Sequence, residues 1–207
     1  LVAANVAAGY LSLPLVFPLL SGFALLGPLA AVGLYELSRR HELGLDISWD
    51  HAFTVMRNPS IGIVLLSVLL GVIYFAWLGA ALAIYREIYG SAVPISITAF
   101  IGEVITTPAG WTLIIAGCGV GFLFALVVLA ISAVSFPMLL DRQCSTGVAI
   151  RTSVHAFLAN PVTMMLWGFI VASLLLLGAV PFLAGLAVVM PVLGHATWHL
   201  YRTVVRH

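Results

Sequence analysis

The amino-acid sequence predicts an all-α, multi-pass transmembrane helical bundle. Of its 207 residues, 63% are hydrophobic and 7% are charged, whereas a typical soluble domain has roughly 25% charged residues. The apolar runs are continuous, while the strands of a membrane barrel alternate apolar and polar residues. We therefore predict one integral membrane domain over residues 1–207, with five spans, amphipathic surface helices between them, and a sixth span upstream of the apolar start at Leu1.

Five apolar runs have the length of about 20 residues that a bilayer requires. The first, at about 10–35, contains Pro14, Pro18 and Pro28, so we expect it to be kinked or to begin after Pro18. Pro137 should bend the far end of the third span. The other spans are predicted at about 61–85, 111–140, 161–180 and 181–201, the last with Pro191 inside it.

Asparagine or threonine followed by proline marks three of the expected span starts. These residues cap helices well, and proline is favoured at the first helical position. The pairs are Asn58-Pro59, Thr107-Pro108 and Asn160-Pro161, and Pro181 alone is expected to start the last span.

Three shorter segments between the spans are predicted to lie along the membrane surface. Residues 46–58 form an amphipathic pattern, residues 145–159 a second one, and residues 91–107 a short interfacial helix. The apolar stripes of the first two are Trp49, Ala52, Phe53 and Met56, and Ile150, Val154, Phe157 and Leu158.

An internal repeat is indicated by two similar segments, 51–59 and 155–161, which share His-Ala-Phe and a closing Asn-Pro. Each lies between an inward and an outward span, which favours two parallel repeats at about 10–85 and 108–180 plus a final span at 181–205. The alternative stays open, because Asn-Pro recurs wherever helices start and the remaining match is only three residues.

Arginine placement predicts the orientation. With five spans in this order, seven arginines fall on one side of the membrane and Arg86 alone on the other. The positive-inside rule makes the side with seven arginines cytoplasmic, and the C-terminus lies on that side. The seven are Arg39, Arg40, Arg57, Arg142, Arg151, Arg202 and Arg206. The basic residues form no cluster of the kind that binds nucleic acid, so we expect no nucleic-acid partner.

The closing stretch 194–202 holds the best candidates for chemistry. His195 and His199 are spaced i, i+4 and could meet one metal ion or a haem from one helix face. The interpretation we favour is structural: Trp198, Tyr201 and Arg202 anchor the helix at the membrane interface, as Arg39 and Arg40 do elsewhere, and His195 hydrogen-bonds inside the bundle. A pH-sensitive histidine face is a third option.

The predicted spans contain few residues that could act in catalysis or ion transport. No charged residue lies at mid-span, which argues against a proton- or sodium-coupled transporter. Gly117, Gly121 and Ala125 form a small-residue stripe that would let another helix approach closely. Cys118 lies in an apolar run and Cys144 in a charged loop, so we expect no disulfide between them.

Four motifs in order resemble a family of proteobacterial integral membrane proteins that is catalogued as a domain of unknown function. They are FPLLSGFALLGP at 17–28, GLYELSRR at 33–40, PMLLDR at 137–142 and GHATWHLYR at 194–202. The resemblance implies a six-span fold in the bacterial inner membrane, with no established activity and no catalytic residues.

We therefore expect a non-catalytic protein whose partners are membrane lipids and other membrane subunits, acting as an accessory, structural or assembly subunit of a larger complex. Two alternatives remain open: a passive channel or carrier for a small or lipid-like molecule, and a cytoplasmic-face metal or haem site. No enzyme motif is present. No cofactor is expected apart from lipid.

Overall fold

The computed structural model describes residues 17–19, 21, 22, 24–90, 96–142, 144–179 and 184–205, and the regular structure in these ranges is helical. A 3₁₀ turn at Ala24–Leu26 precedes the numbered helices. These are α1 (Gly27–Ala30), α2 (Val32–Glu42), α3 (Trp49–Arg57), α4 (Ile61–Tyr89), α5 (Ile97–Thr106), α6 (Pro108–Ser132), α7 (Ser135–Asp141), α8 (Thr146–Ala159), α9 (Pro161–Ala179) and α10 (Leu186–Val204).

Among the residues that the structure describes, four segments are long and apolar enough to cross a membrane: Phe17–Glu42, Ile61–Tyr89, Pro108–Asp141 and Pro161–Ala179. The fifth predicted span corresponds to α10, which is 19 residues long but is not among these four. Its second half carries His195, His199 and Arg202, which lower its hydropathy. Its expected start at Pro181 lies outside the described residues, so a count of five stays a prediction.

The first predicted span is interrupted, as its prolines indicate. The 3₁₀ turn at Ala24–Leu26 leads into α1, which has Pro28 in its first turn, and a turn at Ala31 separates α1 from α2. The predicted kink is therefore confirmed in the described part of the span, while Pro14 lies outside it.

The bend expected from Pro137 is also confirmed. The third span breaks at Ala133–Val134 between α6 and α7. A proline ring clashes with the carbonyl four residues earlier, and for Pro137 that residue is Ala133. The backbone N–H of Val134 at the break donates to the buried Ser153 Oγ at 3.2 Å. The break is thus stabilised by a side chain of α8.

Two of the three capped starts are confirmed; the remaining span start, at residue 61, is also confirmed, but its predicted cap Asn58 is wrong. Helix α6 begins at Pro108, where Thr107 Oγ1 accepts the Gly110 N–H at 3.0 Å, and α9 begins at Pro161. Asn58, however, ends α3 instead of starting α4. Helix α4 begins at Ile61, and Ser60 Oγ accepts the N–H of Ile63 at 3.4 Å.

The two surface helices turn small residues toward the protein. In α3 only Ala52 is buried, and Trp49, Phe53 and Met56 stay exposed. In α8 the buried residues are Ala149, Ser153 and Ala156. The large apolar side chains of α3 are therefore available to the bilayer.

The two repeat-like segments share local geometry. Asn58 and Asn160 end α3 and α8 with φ/ψ of −126°/62° and −136°/59°, and Ser48 and Ser145 cap their first turns. The shared geometry covers each surface helix and its end, while the larger repeats at 10–85 and 108–180 remain a prediction.

The chain divides into two compact units, residues 1–23 with 72–125, and residues 24–71 with 126–207. In the first, the buried Trp77 indole N–H donates to the Pro18 carbonyl at 3.0 Å, and its ring packs against Phe124. Phe100 of α5 packs edge-on against Tyr85 and Tyr89 of α4.

In the second unit, α2 is central and packs against α3, α7 and α10. Glycines let two of these helices approach closely: a Cβ on Gly33 would lie 3.2 Å from Ala52 Cβ, and one on Gly194 would lie 2.7 Å from Leu34 Cβ. The core includes Val32, Tyr35, Phe136, Trp198 and Tyr201.

Candidate functional site

Three helix C-termini meet at one end of the second unit, those of α2, α7 and α10. Glu42 of α2 and Asp141 of α7 are both within ion-pair distance of Arg202 in α10. We call the polar residues gathered here the helix-end cluster: Glu36, Arg39, Arg40, Glu42, Asp141, Arg142, Trp198, Tyr201 and Arg202. The predicted first, third and fifth spans therefore end on the same side.

Arg202 links the three ends electrostatically. Glu42 and Asp141 are carboxylates at helix C-termini, where the negative end of the helix dipole repels them. A neighbouring cation therefore stabilises their charged forms. The Arg202 guanidinium donates to Glu42 Oε1 at 2.9 Å and to Asp141 Oδ2 at 3.4 Å. Arg142 adds a longer contact, with Nε 4.0 Å from Asp141 Oδ2.

Two buried aromatic side chains complete the hydrogen bonding of these carboxylates. The Trp198 indole N–H donates to Glu42 Oε2 at 2.8 Å, and the Tyr201 hydroxyl donates to Asp141 Oδ2 at 2.7 Å. Both rings are 1% exposed. The polar atoms of both rings are thus engaged by carboxylates of neighbouring helices, and the role of Trp198 and Tyr201 as membrane-interface anchors stays a prediction.

Glu36 forms the inner part of the cluster. Its carboxylate is 4% exposed and accepts from Arg39 Nε at 2.8 Å and Nη2 at 3.0 Å, while Arg40 Nη1 lies 3.7 Å away. Arg40 Nε also donates to the Asp46 carbonyl at 2.7 Å. Arg39 and Arg40 are thus paired within the chain, and a role for them or Arg202 as lipid anchors stays a prediction.

His195 has the protein partner expected from the structural interpretation. Its Nδ1 lies 2.8 Å from Ser38 Oγ in α2. The serine hydroxyl holds one hydrogen, and its 2.9 Å bond to the Leu34 carbonyl uses it. The imidazole Nδ1–H therefore donates to Ser38, which leaves Nε2 as the acceptor nitrogen.

The imidazoles of His41, His195 and His199 lie next to one another where α2 packs against α10. The His41 and His195 ring centroids are 6.3 Å apart, and those of His195 and His199 are 6.2 Å apart with the rings nearly parallel. Within the described ranges, no three His, Cys, Asp or Glu side chains gather in a metal-holding group. Ligation by His195 and His199 stays an untested prediction, and the shown partner of His195 is a hydroxyl.

Helices α2 and α10 run parallel along this interface. Leu34 faces Gly194, Ser38 faces His195, and Glu42 faces Trp198 and Arg202. Both chain segments therefore advance in the same direction, as expected of two spans that cross a membrane with the same orientation.

The predicted small-residue stripe of α6 is only partly in contact. A Cβ on Gly121 would lie 3.0 Å from the Trp77 ring, whereas a Cβ on Gly117 would meet no atom within 4 Å. Ala125 is exposed. Both cysteines are free, and Cys118 is exposed beside Gly117.

Two apolar grooves flank α3 in the second unit. The larger, of about 330 Å³, lies between α2, α3 and α4, and we call it the α3–α4 groove. Its lining residues are Leu29, Val32, Val55, Met56, Pro59, Ile63, Val64, Ser67 and Val68. The smaller, of about 230 Å³, lies on the other side of α3 against α10. Sequence patterns missed both grooves, since they form between helices distant in sequence.

No curated protein matches this chain, and no solved structure does. A family model described as "Predicted integral membrane protein (DUF2189)" matches residues 16–141. The matched region is well over half of the chain and includes the first two of the four motifs that carry the resemblance and the third up to Asp141. The chain belongs to this family of integral membrane proteins.

Proposed function

We propose that this protein is a non-catalytic accessory subunit that packs against other proteins of the bacterial inner membrane. The observation that carries the proposal is the uncovered glycine surface of a spanning helix. Only 6% of the most apolar window of Pro108–Asp141 is buried within the chain. At Gly117 and Gly119 an added Cβ would meet no atom within 4 Å.

Glycine on a membrane span serves mainly to let a second helix come close. A glycine that faces lipid adds little packing energy, since it has no side chain to contact the acyl chains. The polar groups of the helix-end cluster support the same role, because they are engaged with one another: the carboxylates of Glu36, Glu42 and Asp141 each accept from arginine. The cluster joins helices and leaves these carboxylates committed to structural contacts.

Cross-linking from Cys118 tests the proposal directly. This thiol is exposed between the two open glycines, so a thiol-linked photoreactive probe placed there in native membranes, with Cys144 changed to serine, should capture one defined protein at high yield. The matched control carries Phe169→Cys on the exposed face of α9 in a cysteine-free background and should capture mostly lipid.

A second readout is the composition of the gently extracted protein by native mass spectrometry. We expect a complex with other membrane subunits that Gly117→Leu dissociates and Gly102→Leu does not; both glycines have open space at Cβ, so neither change strains the chain itself. Recovery as a free monomer or homo-oligomer, with Cys118 and the α9 control capturing alike, would contradict the proposal.

The orientation we propose places the helix-end cluster on the cytoplasmic side. The cluster contains Arg39, Arg40, Arg142 and Arg202, while Arg86 lies in the last turn of α4, and arginine favours the cytoplasmic side. In a cysteine-free background, Leu43→Cys should react with an impermeant maleimide only in inverted vesicles, and Glu87→Cys only in right-side-out vesicles. The reverse pattern would overturn the orientation.

A further inference from the structure

We propose that the α3–α4 groove holds one acyl chain of an anionic phospholipid, whose phosphate is bound by Arg57. The groove has the size of a small-ligand site, which starts at about 300 Å³. Eight of its nine lining residues have apolar side chains; the ninth, Ser67, donates its hydroxyl to the Ile63 carbonyl at 2.7 Å. The walls therefore offer no free polar group and suit a hydrocarbon chain.

The position of the groove fits a lipid in one leaflet. It is lined by the first two turns of α4 and by α2, and both belong to candidate spans. Helix α3 contributes Val55 and Met56 to the lining and exposes Trp49, Phe53 and Met56 on its surface. An apolar surface helix of this kind lies at the boundary of headgroups and acyl chains. A chain in the groove would therefore have its headgroup beside the C-terminal end of α3.

Arg57 supplies the charge for that headgroup. It stands in the chain between Met56 and Pro59, two residues that line the groove. Within the described ranges Arg57 makes no ion pair, and its side chain is exposed. The acidic Asp50 is in the first turn of α3, about 10 Å along the helix from Arg57. At physiological salt that distance exceeds the screening length.

The second repeat-like segment offers an internal comparison. Its surface helix α8 ends at Ala159 before Asn160 and Pro161, so it has no arginine where α3 has Arg57. The exposed Arg151 of α8 lies two turns earlier. Arg151→Gln is therefore a matched control for Arg57→Gln, because each removes one exposed arginine from a surface helix.

The test uses phosphatidylglycerol with a photoreactive acyl chain, added to the purified full chain in a neutral detergent. We expect labelled peptides from α2 and from the first turns of α4. Arg57→Gln should weaken phosphatidylglycerol binding about fivefold, as expected for one cation near an anionic headgroup, while Arg151→Gln leaves it unchanged. Phosphatidylcholine should bind the wild type as weakly as phosphatidylglycerol binds Arg57→Gln.

A groove-filling variant separates the acyl-chain contact from the charge. Val64→Trp should abolish labelling in the groove, whereas Val72→Trp, on the exposed surface of the same helix, should not. Labelling spread evenly over α6 and α9, equal effects of the two arginine changes, or cross-linking of a second copy through the groove would each overturn the proposal.

Discussion

Replacing Trp198 with phenylalanine is expected to destabilise the protein by about 2 kcal/mol. The change removes the indole N–H that donates to Glu42 Oε2 at 2.8 Å. A hydrogen bond to a charged group contributes about 1.5–3 kcal/mol, which we reduce to about 1 kcal/mol because the Glu42 side chain is 36% exposed. The smaller ring in a fully packed position costs about 1 kcal/mol more.

For a chain of this size, about 2 kcal/mol corresponds to a fall of about 4–8 °C in the thermal midpoint. The measurement is the fraction of protein remaining monodisperse in detergent after heating. Trp111→Phe is the control, since Trp111 is exposed on α6 and should shift the midpoint by less than 2 °C, corresponding to about 0.5 kcal/mol.

A double-mutant cycle with Glu42→Met, which keeps the side-chain length but removes the oxygen that accepts the indole N–H, isolates the hydrogen bond from the packing loss. We expect a coupling energy of about 1 kcal/mol between Trp198 and Glu42. A coupling near zero, or equal effects of the Trp198 and Trp111 substitutions, would refute the assignment of this bond as a stabilising link between α2 and α10.

Two further substitutions test close packing and the helix break. Gly194→Ala should destabilise by about 1–3 kcal/mol, since the new Cβ would lie 2.7 Å from a leucine Cβ of α2; Gly102→Ala, in open space, should be neutral or slightly stabilising in the same thermal assay. Ser153→Ala should cost about 1–3 kcal/mol because it leaves the buried Val134 N–H unpaired. Its neighbour Thr152 is half-buried and donates only to the Val148 carbonyl of its own helix, so Thr152→Ala should change stability by less than about 0.5 kcal/mol.

Local sequence signals predicted the helices and their interruptions well. Pro137 marked the break four residues upstream, and Thr107-Pro108 marked the start of α6, because both effects act within one helical turn. The start of α4 at Ile61 was predicted, but Asn58 as its cap was wrong for the same local reason: Ser60, two residues later, is an equally good cap and is the one used.

The role of the closing stretch could be predicted only in part. A hydrogen-bonded His195 was expected, but its partner Ser38 is 157 residues away in the chain. Trp198 and Tyr201 are residue types typical of a headgroup belt, and nothing local distinguishes that role from donating to carboxylates of neighbouring helices. The distinction depends on Glu42 and Asp141, which are brought near only by tertiary packing.

The parallel contact between α2 and α10 also imposes an order on assembly. Arg202 follows its partner Glu42 by 160 residues, which corresponds to about 10–30 s of synthesis. Throughout that interval Glu42 lacks Arg202 as a partner, and Asp141, which precedes Arg202 by 61 residues, lacks it for the later part. The packing of α10 supplies this cation to both carboxylates, so a chain interrupted before α10 would leave Glu42 without Arg202 and Asp141 with Arg142 alone.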